Sequence, residues 1–293
     1  MTITAKIIAD SINEDGHRIT TMELKYWRAI HAEYLTHRIF SRNASSSRAI
    51  PVKKMLSNVW NEPAMPVHWG KNQAGMQARE ELSGWRKAFS KAVWRLAGKG
   101  MCGVVWTLSK VGLHKQVANR LLEPWQHIHV VCTSTEWENF FALRCHQDAQ
   151  PEIQELAMAM RSAMEWSTPR LLRYGEWHLP YVNCLERKDL TKEEAIKVST
   201  ARCCRVSYLN HGGVTSTLNE DISLYDRLVK ADPPHRSPTE HPGMAVPGDR
   251  PFANFRGWKA HRWELEHARK QGPFAVAEHC KLFSWDAGHK GIL

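Results

Sequence analysis

The sequence predicts an α+β protein, because it alternates between the apolar spacings of strands and of helices. Two segments, 5–12 and 18–25, flank the turn sequence Asn13-Glu14-Asp15-Gly16 and predict a β-hairpin. A third strand is predicted at 127–133, where β-branched residues are frequent. Between and after these strands, apolar residues recur at helical spacing.

The helices are predicted in order along the chain. The first begins near Trp27 and would deliver Thr36, His37 and Arg38 at its C-terminal end. A long amphipathic helix is predicted over 75–98, with one apolar side made of Leu82, Trp85, Phe89, Val93 and Leu96. The glycine-rich segment 98–103 lacks the Gly-Lys-Ser/Thr ending of a phosphate-binding loop, and is predicted to be a connector.

Shorter helices follow at 113–122, 135–144 and 151–166, the last with proline in its first turn. The sequence Thr191-Lys192-Glu193-Glu194 is a capping box that opens a helix ending near Val206. Further helices are predicted at 221–231 and 254–269. Residues 56–74 are predicted to be a surface loop or a lid, and residues 167–190 a linker.

The charge balance favours an anionic partner. Forty Lys and Arg against thirty Asp and Glu give a net charge of +10, which suits a nucleotide, a phosphorylated cofactor or nucleic acid. Seven cysteines without a Cys-x-x-Cys pair predict neither a disulfide framework nor a zinc site, so we expect a reducing cytoplasm, the host's if the protein is viral. No stretch approaches the about 20 apolar residues of a membrane span, and no membrane partner is expected.

One segment is unusually rich in donors for anionic oxygen. Residues 36–48 hold a histidine, three arginines, an asparagine and four serines. Composition alone is equally typical of a solvated basic loop. His127 and His129 would lie on one face of their strand at a spacing that can chelate a metal, but no third ligand is evident, so no metal is expected.

The spacing of His37-Arg38, seven residues, Ser46 and then Arg48 resembles the signature of the flavin-dependent thymidylate synthases. Residues 115–153 resemble the C-terminal core of that family, with Arg144 as its arginine and 149–153 in place of its Ala-Gln-Trp-Glu-Ile run. Segments 201–207 and 237–241 resemble family segments that ordinarily precede the His-Arg motif. The changed order implies a circular permutation, of a kind expected in a bacteriophage.

The resemblance implies an antiparallel sheet flanked by helices. Residues 1–166 would form the flavin- and nucleotide-binding core, 167–190 a linker, and 191–293 the permuted N-terminal segment of the same compact domain. The family is homotetrameric, with sites at subunit interfaces. It transfers the methylene of 5,10-methylenetetrahydrofolate to C5 of deoxyuridylate (dUMP to dTMP) with reduced FAD, which NADPH regenerates, and uses no cysteine nucleophile.

The resemblance also assigns residues. FAD-binding positions are matched by His37, Arg38, Asn43, Thr135, Asn139 and His241. Substrate-binding positions are matched by Ser46, Ser47, Arg48, Arg144 and either Asn119 or Arg120, of which Arg120 is favoured on charge. Arg144, Arg48 and Ser46 are the expected catalytic residues, because a cation beside the pyrimidine stabilises the developing enolate.

Other interpretations stay open. Thr36, Ala44 and Ala49 replace a family arginine, glutamate and tyrosine, and the lost glutamate leaves open a dUMP or dCMP 5-hydroxymethylase on the same site. Taken alone, His241 before a proline is typical of a turn and Arg144 of a helix surface. A non-catalytic nucleic-acid-binding protein is a further alternative. Free nucleic acid is nevertheless not expected, because basic and aromatic residues do not alternate as in a strand-tracking groove.

Overall fold

The computed structural model describes residues 3–206 and 216–269, and it combines sheets with helices as predicted. Its strands are β1 (Thr4–Asn13), β2 (Arg18–Trp27), β3 (Ser41–Ala44), β4 (His127–Ser134), β5 (Arg170–Leu172), β6 (Trp177–His178), β7 (Gly243–Ala245), β8 (Pro251–Phe252), β9 (Phe255–Arg256) and β10 (Trp258–Ala260). Its helices are α1 (His31–Leu35), α2 (Val52–Asn61), α3 (Gly84–Lys110), α4 (Lys115–Ala118), α5 (Glu138–Arg144), α6 (Pro151–Glu165), α7 (Glu186–Asp189), α8 (Lys192–Arg205), α9 (Leu218–Val229) and α10 (His261–Arg269). Short 3-10 helices lie at Arg28–Ile30, Asn119–Trp125 and Ser237–Glu240. Within these described ranges, no helix has the length and apolar character to cross a membrane.

The main sheet has five strands in the order β3-β4-β2-β1-β5. The predicted hairpin of β1 and β2 is confirmed, and Gly16 adopts φ +85° in its turn, where glycine has no steric penalty. β4 pairs antiparallel with both β2 and β3. The sheet is therefore antiparallel as expected, except that β5 joins β1 in parallel.

One face of the sheet is apolar. Met22, Leu24 and Tyr26 of β2 alternate toward the same core as Ile128, Val130 and Cys132 of β4. Helix α6 closes this core with Ile153, Leu156 and Met160, and α5 adds Phe140. The period of two along each strand makes this face a continuous apolar layer.

The opposite face is more polar and is covered by the later part of the chain. Cys203 and Val206 at the end of α8 pack on Val131 of β4. Asn43 of β3 donates its side-chain amide to the Cys203 carbonyl at 3.2 Å. The 3-10 helix Ser237–Glu240 also packs on β3. The described part of 191–293 therefore folds directly onto residues 36–48, the motif segment.

The segment predicted to be a linker contains two strands. β5 extends the main sheet, and β6 pairs with β7 in a second sheet of order β10-β7-β6. Leu172, Trp177 and His178 are buried there. The division into domains stays a prediction.

Several element boundaries differ from prediction. β3 was not predicted, because the sequence Ser41-Arg42-Asn43-Ala44 carries no apolar alternation. α2 occupies the start of the predicted loop 56–74, and the predicted helix over 254–269 begins only at His261. The connector predicted at 98–103 is wrong, since these glycines lie inside α3. The part of the predicted segment 191–293 that follows Arg269 lies outside the described residues.

The glycines of α3 explain this error. Gly98 faces Trp125, and a Cβ at this position would lie 2.9 Å from the indole Cδ1. Trp125 is itself fixed by its Nε1–H, which donates to the Trp94 carbonyl at 3.0 Å. Gly98 is therefore a packing requirement of the helix rather than a break in it, although glycine is a poor helix former.

The apolar side predicted for this helix faces solvent. Trp85, Phe89 and Leu96 are exposed by 73%, 63% and 70%. The buried side is instead formed by Gly98, Cys102 and Val105. The apolar spacing in the sequence predicts a helix here, but it does not identify the side of that helix that packs on the rest of the chain.

Two matched substitutions test the packing of α3. We expect Gly98→Ala to destabilise the fold, since overpacking costs about 1–3 kcal/mol and exceeds the gain in helix propensity. Gly100→Ala is the control, because no atom lies within 4 Å of its added Cβ; it should stabilise the fold by about 1 kcal/mol. Urea unfolding midpoints measure both. Equal stabilisation by the two variants would contradict the packing role of Gly98.

Candidate functional site

The motif segment is anchored by its own central arginine. Arg42 donates from Nη1 to the carbonyls of Leu35 at 3.0 Å and His37 at 3.2 Å, just past the end of α1. The Leu35 carbonyl is among the last carbonyls that a helix leaves without partners, and a cation is favourable there. Arg42 thus holds the turn between α1 and β3, and is not available as a free anion ligand.

Two predicted site residues from distant segments meet directly. Arg144, the last residue of α5, donates its Nε–H to His37 Nε2 at 2.9 Å. The ring of Phe140 packs edge-on against His37 with centroids 4.8 Å apart. Burial, with Arg144 and Arg42 nearby, lowers the pKa of His37. The imidazole is therefore a neutral acceptor whose proton lies on Nδ1.

This pairing leaves the outer part of the Arg144 guanidinium available. No hydrogen bond from its Nη atoms is found within the described residues, and the side chain is half-buried. The fixed Nε–H orients the planar fork, so the two Nη groups can donate to carbonyl or anionic oxygens of a ligand.

The loop after β3 is held by backbone and amide contacts. The Ser45 N–H donates to the His129 carbonyl at 2.8 Å, and the His129 N–H donates to Ser45 Oγ at 3.1 Å. Asn119, fully buried, donates Nδ2 to the carbonyls of Ser47 at 2.8 Å and Ile50 at 2.9 Å. Asn119 therefore supports the loop from beneath, whereas Arg120 is exposed beside it.

Cations outnumber acids around this loop. Arg48 is exposed and makes no ion pair with the residues that the structure describes. Arg28 and Arg120 share Glu123, at 3.1 and 3.7 Å, and Arg28 was missed from the sequence alone. Ser47 Oγ also lies 3.4 Å from Glu123. Lys115 donates to the Ala49 carbonyl at 3.1 Å and was likewise missed. The excess of positive charge suits an anionic group such as a phosphate.

Some of the remaining predicted residues are exposed, and others are buried or already hydrogen-bonded within the protein. Arg38 and Asn139 are exposed, and Ser46 is half-buried. The Thr135 hydroxyl accepts the Arg256 N–H at 3.1 Å. His241 is fully buried, and burial lowers its pKa to about 3. The structure thus brings His37 and Arg144 into contact, whereas the contacts of each predicted residue with a ligand stay predictions.

A cavity of about 310 Å³ borders the same loop on the polar face of the sheet. Lys25, Lys54, His127 and His129 line it together with residues of α2. Burial, followed by the charge of Lys25, lowers the pKa of His127 to about 4, so the imidazole is neutral. The two histidines share one face as their spacing predicted, but within the described ranges no group of three His, Cys, Asp or Glu side chains could hold a metal.

Comparison with known proteins identifies a family by sequence. A family model described as "Thymidylate synthase complementing protein" matches residues 16–170, more than half of the 293-residue chain. A comparison with curated proteins finds no match.

Solved structures resemble the chain only in part. A UMP/dUMP methylase from Streptomyces cacaoi with bound 5-bromo-dUMP is 14% identical, with a TM-score of 0.45, over 55% of this chain and 89% of that one. Thymidylate synthase X from Helicobacter pylori, with FAD and dUMP, is 22% identical, with a TM-score of 0.35, over 50% of this chain and 67% of that one. The family assignment depends on the sequence match.

The neighbouring residues Asn119 and Arg120 are expected to behave differently on substitution. Asn119→Ala leaves two buried carbonyls without donors and should lower the free energy of unfolding by about 1–3 kcal/mol. It should also speed hydrogen exchange of the loop 45–50. Arg120→Ala, on the surface, should change stability by less than about 0.5 kcal/mol. Denaturant unfolding and hydrogen exchange measure both effects. Equal stabilities of the two variants would contradict the supporting role of Asn119.

Proposed function

Because the chain belongs to the family of thymidylate synthase complementing proteins, we propose that it transfers a one-carbon unit from methylenetetrahydrofolate to C5 of dUMP, with FAD as the redox cofactor. The hydrogen bond between Arg144 and His37 is the main support, at 2.9 Å and across 107 positions of sequence. Both residues match family positions, and they come from separate matching segments.

The nucleotide phosphate would bind at the loop 45–50. Arg48 is exposed there, Ser46 brings a half-buried hydroxyl group, and the loop backbone is fixed by Asn119. The Ser47 hydroxyl, proposed as a second donor, is buried and lies 3.4 Å from Glu123. Arginine and serine donors suit a phosphate dianion better than an uncharged sugar. This arrangement supports a nucleotide rather than a nucleoside substrate.

Arg144 would act on the pyrimidine ring. Negative charge develops on the ring oxygen as C5 becomes nucleophilic, and a positioned guanidinium stabilises that charge more than it stabilises the ground state. His37 fixes the guanidinium through Nε without sharing its charge, because the imidazole is neutral. His37 would therefore orient Arg144 and would not act as a base toward it.

The donor set fits a dinucleotide cofactor. Arg38 is exposed, with no ion pair inside the described part of the chain, and Asn139 is an exposed amide on the helix that ends at Arg144. Cationic and amide donors of this kind suit a pyrophosphate and an adenosine. When bound, FAD supplies the hydride that reduces the transferred carbon, and NADPH restores the reduced cofactor.

The identity of the base and product is a finer part of the proposal. Ala44, half-buried in β3, replaces the family's glutamate, so the substrate loses a carboxylate acceptor there. We favour uracil and a methyl product. Cytosine as the base, or water ending the reaction to give a hydroxymethyl group, is the alternative, and the product mass separates the two products.

We also propose that the chain is a circular permutant. The support is that α8 and the 3-10 helix Ser237–Glu240 pack on β3, and that Asn43 donates to the Cys203 carbonyl. A segment that contacts the motif so closely can be connected through either end, provided that the termini lie near each other at the surface. The proposed assembly is a homotetramer in the cytoplasm.

Binding and turnover test the proposed function. We expect purified protein to perturb the visible absorption of added FAD, and to convert dUMP, methylenetetrahydrofolate and NADPH to a methylated nucleotide detected by mass spectrometry. Arg144→Ala should lower kcat by a factor of about 10² or more with FAD still bound, as for removal of other positioned charge donors. Arg161→Ala is the control, because that arginine pairs with Glu165 on the surface of α6.

Two results would overturn the proposal. The first is an unperturbed FAD spectrum with no nucleotide product. The second is binding to single-stranded DNA that weakens steeply with salt, without any turnover, which would instead support the nucleic-acid-binding alternative.

The exposed apolar side of α3 is the proposed contact between copies of the chain. Phe89→Asp and Leu96→Asp should each lower the mass measured by light scattering, because they place a charge in an apolar contact. Met158→Asp, an exposed apolar site on α6, is the control. α3 has six Lys and Arg and no acid, so higher salt should strengthen the association by screening repulsion. An unchanged mass in both α3 variants would exclude this contact.

A further inference from the structure

Five polar side chains form a continuous buried chain behind the motif segment. Ser11 Oγ lies 2.9 Å from His178 Nδ1, and His178 Nε2 lies 2.8 Å from Thr21 Oγ1. Thr21 Oγ1 lies 2.7 Å from Thr133 Oγ1, which lies 2.8 Å from His241 Nδ1. Ser11 is 4% exposed, and the other four are fully buried.

This buried chain links three separate parts of the fold. Ser11, Thr21 and Thr133 lie on β1, β2 and β4 of the main sheet, and His178 lies on β6. His241 directly follows the 3-10 helix Ser237–Glu240, which packs on β3 of the motif segment. The sequence patterns do not predict a functional role for Ser11, Thr21, Thr133 or His178.

The hydrogens along the chain can be ordered in only two consistent ways. Each hydroxyl donates one hydrogen, and each neutral imidazole carries one N–H. Burial lowers the pKa of both His178 and His241 to about 3, so both rings are neutral near pH 7. In the first order, hydrogens point from Ser11 toward His241, and both histidines carry their proton on Nε2. In the second order every link is reversed, and both carry it on Nδ1.

Mixed orders are unfavourable. If the histidines carried their protons on different nitrogens, the Thr21–Thr133 link would have either no hydrogen or two. With no hydrogen, lone pairs of Thr21 Oγ1 and Thr133 Oγ1 face each other at 2.7 Å. With two hydrogens, one buried hydroxyl hydrogen has no acceptor among these contacts. The two tautomers are therefore coupled across the sheet.

The free end of the chain lies at His241. Its Nε2 is buried and has no hydrogen-bond partner among the described residues. In the first order this atom is a donor, and in the second it is an acceptor. The direction of the whole chain therefore decides which kind of group His241 can bind.

We propose that Ser11, His178, Thr21 and Thr133 form a hydrogen-bond relay that sets the tautomer of His241. A carbonyl oxygen that reaches Nε2 fixes the first order, in which every hydroxyl hydrogen of the relay is paired. Flavin and pyrimidine rings both carry such oxygens, so this ligand class rests on the proposed function. Ser11, Thr21, Thr133 and His178 are positioning residues that act through His241.

The free protein provides the first test. Long-range ¹H–¹⁵N spectra of protein labelled at histidine nitrogens report which ring nitrogen carries the proton, and His178→Gln and His241→Gln assign the two signals. We expect both rings to be neutral at pH 7 and to have the same tautomer. Opposite tautomers, or a protonated imidazole in either position, would overturn the relay.

Breaking the central link provides the second test. Thr133→Val and Thr21→Val keep the side-chain shape but remove one hydroxyl, and each should shift the ring nitrogen signals of at least one histidine. Thr200→Val is the matched control, because the Thr200 hydroxyl is also fully buried but has no hydrogen-bond partner among the described residues. It should leave both histidine signals unchanged. Wild-type signals in both Thr133→Val and Thr21→Val would contradict the proposal.

Adding FAD separates the relay from the proposed function. If FAD binds, the signals of His178 and His241 should shift together in the wild type, whereas His178 should not respond in Thr133→Val. A shift of His241 alone in the wild type would overturn the relay. If FAD does not bind, the proposed function fails, and the tautomers of the free protein still decide whether the relay exists.

Discussion

The pairing of β3 with β4 is the constraint on which the candidate site depends. Ser41 lies opposite Thr133 and Asn43 opposite Val131, and the ladder continues to Ser45, which exchanges two hydrogen bonds with His129. β3 is only four residues long, so this register sets the positions of the residues on both sides of it. Before the strand it places His37 beside Arg144, and after the strand it places the loop 45–50 against Asn119. A shift of one residue would turn Asn43 toward the apolar core and break both arrangements.

The two faces of β4 give the site a rigid support and a polar environment. Val130 and Cys132 point into the aromatic and aliphatic core under α5 and α6, which also positions Phe140 against His37. Val131 and Thr133 point to the opposite face, where α8 and His241 cover them. A strand that is fixed by packing on one face can hold polar groups at defined distances on the other, because the backbone cannot move to relieve an unfavourable contact.

The later part of the chain completes the environment of the motif segment. Asn43, which the resemblance places at the cofactor, donates its side-chain amide to the Cys203 carbonyl, and this bond joins α8 to β3. Arg202 and Arg205 of α8 both pair with the buried Asp221 of α9, so the two helices form one unit against the sheet. Removing a partner from such a buried pair leaves an uncompensated charge, and the contact of α8 with the motif segment therefore depends on α9 as well.

Features with local signals could be predicted from the sequence: the hairpin at Gly16, the capping box of α8, the proline start of α6 and the spacing of the motif residues. Other features depend on contacts between distant segments. The glycine at position 98 predicts a break in the helix. In the structure Gly98 lies inside α3, because the indole of Trp125, 27 positions away in sequence, leaves no room for a side chain there. Arg42 lies in the donor-rich segment, and the structure shows that it binds the carbonyls of Leu35 and His37. Asn119 supports the loop 45–50, and Arg120 is exposed beside that loop. Propensity and periodicity report the preferences of neighbouring residues, whereas a side chain's hydrogen-bond partners are fixed only when packing brings distant segments together and burial makes every unpaired polar atom costly.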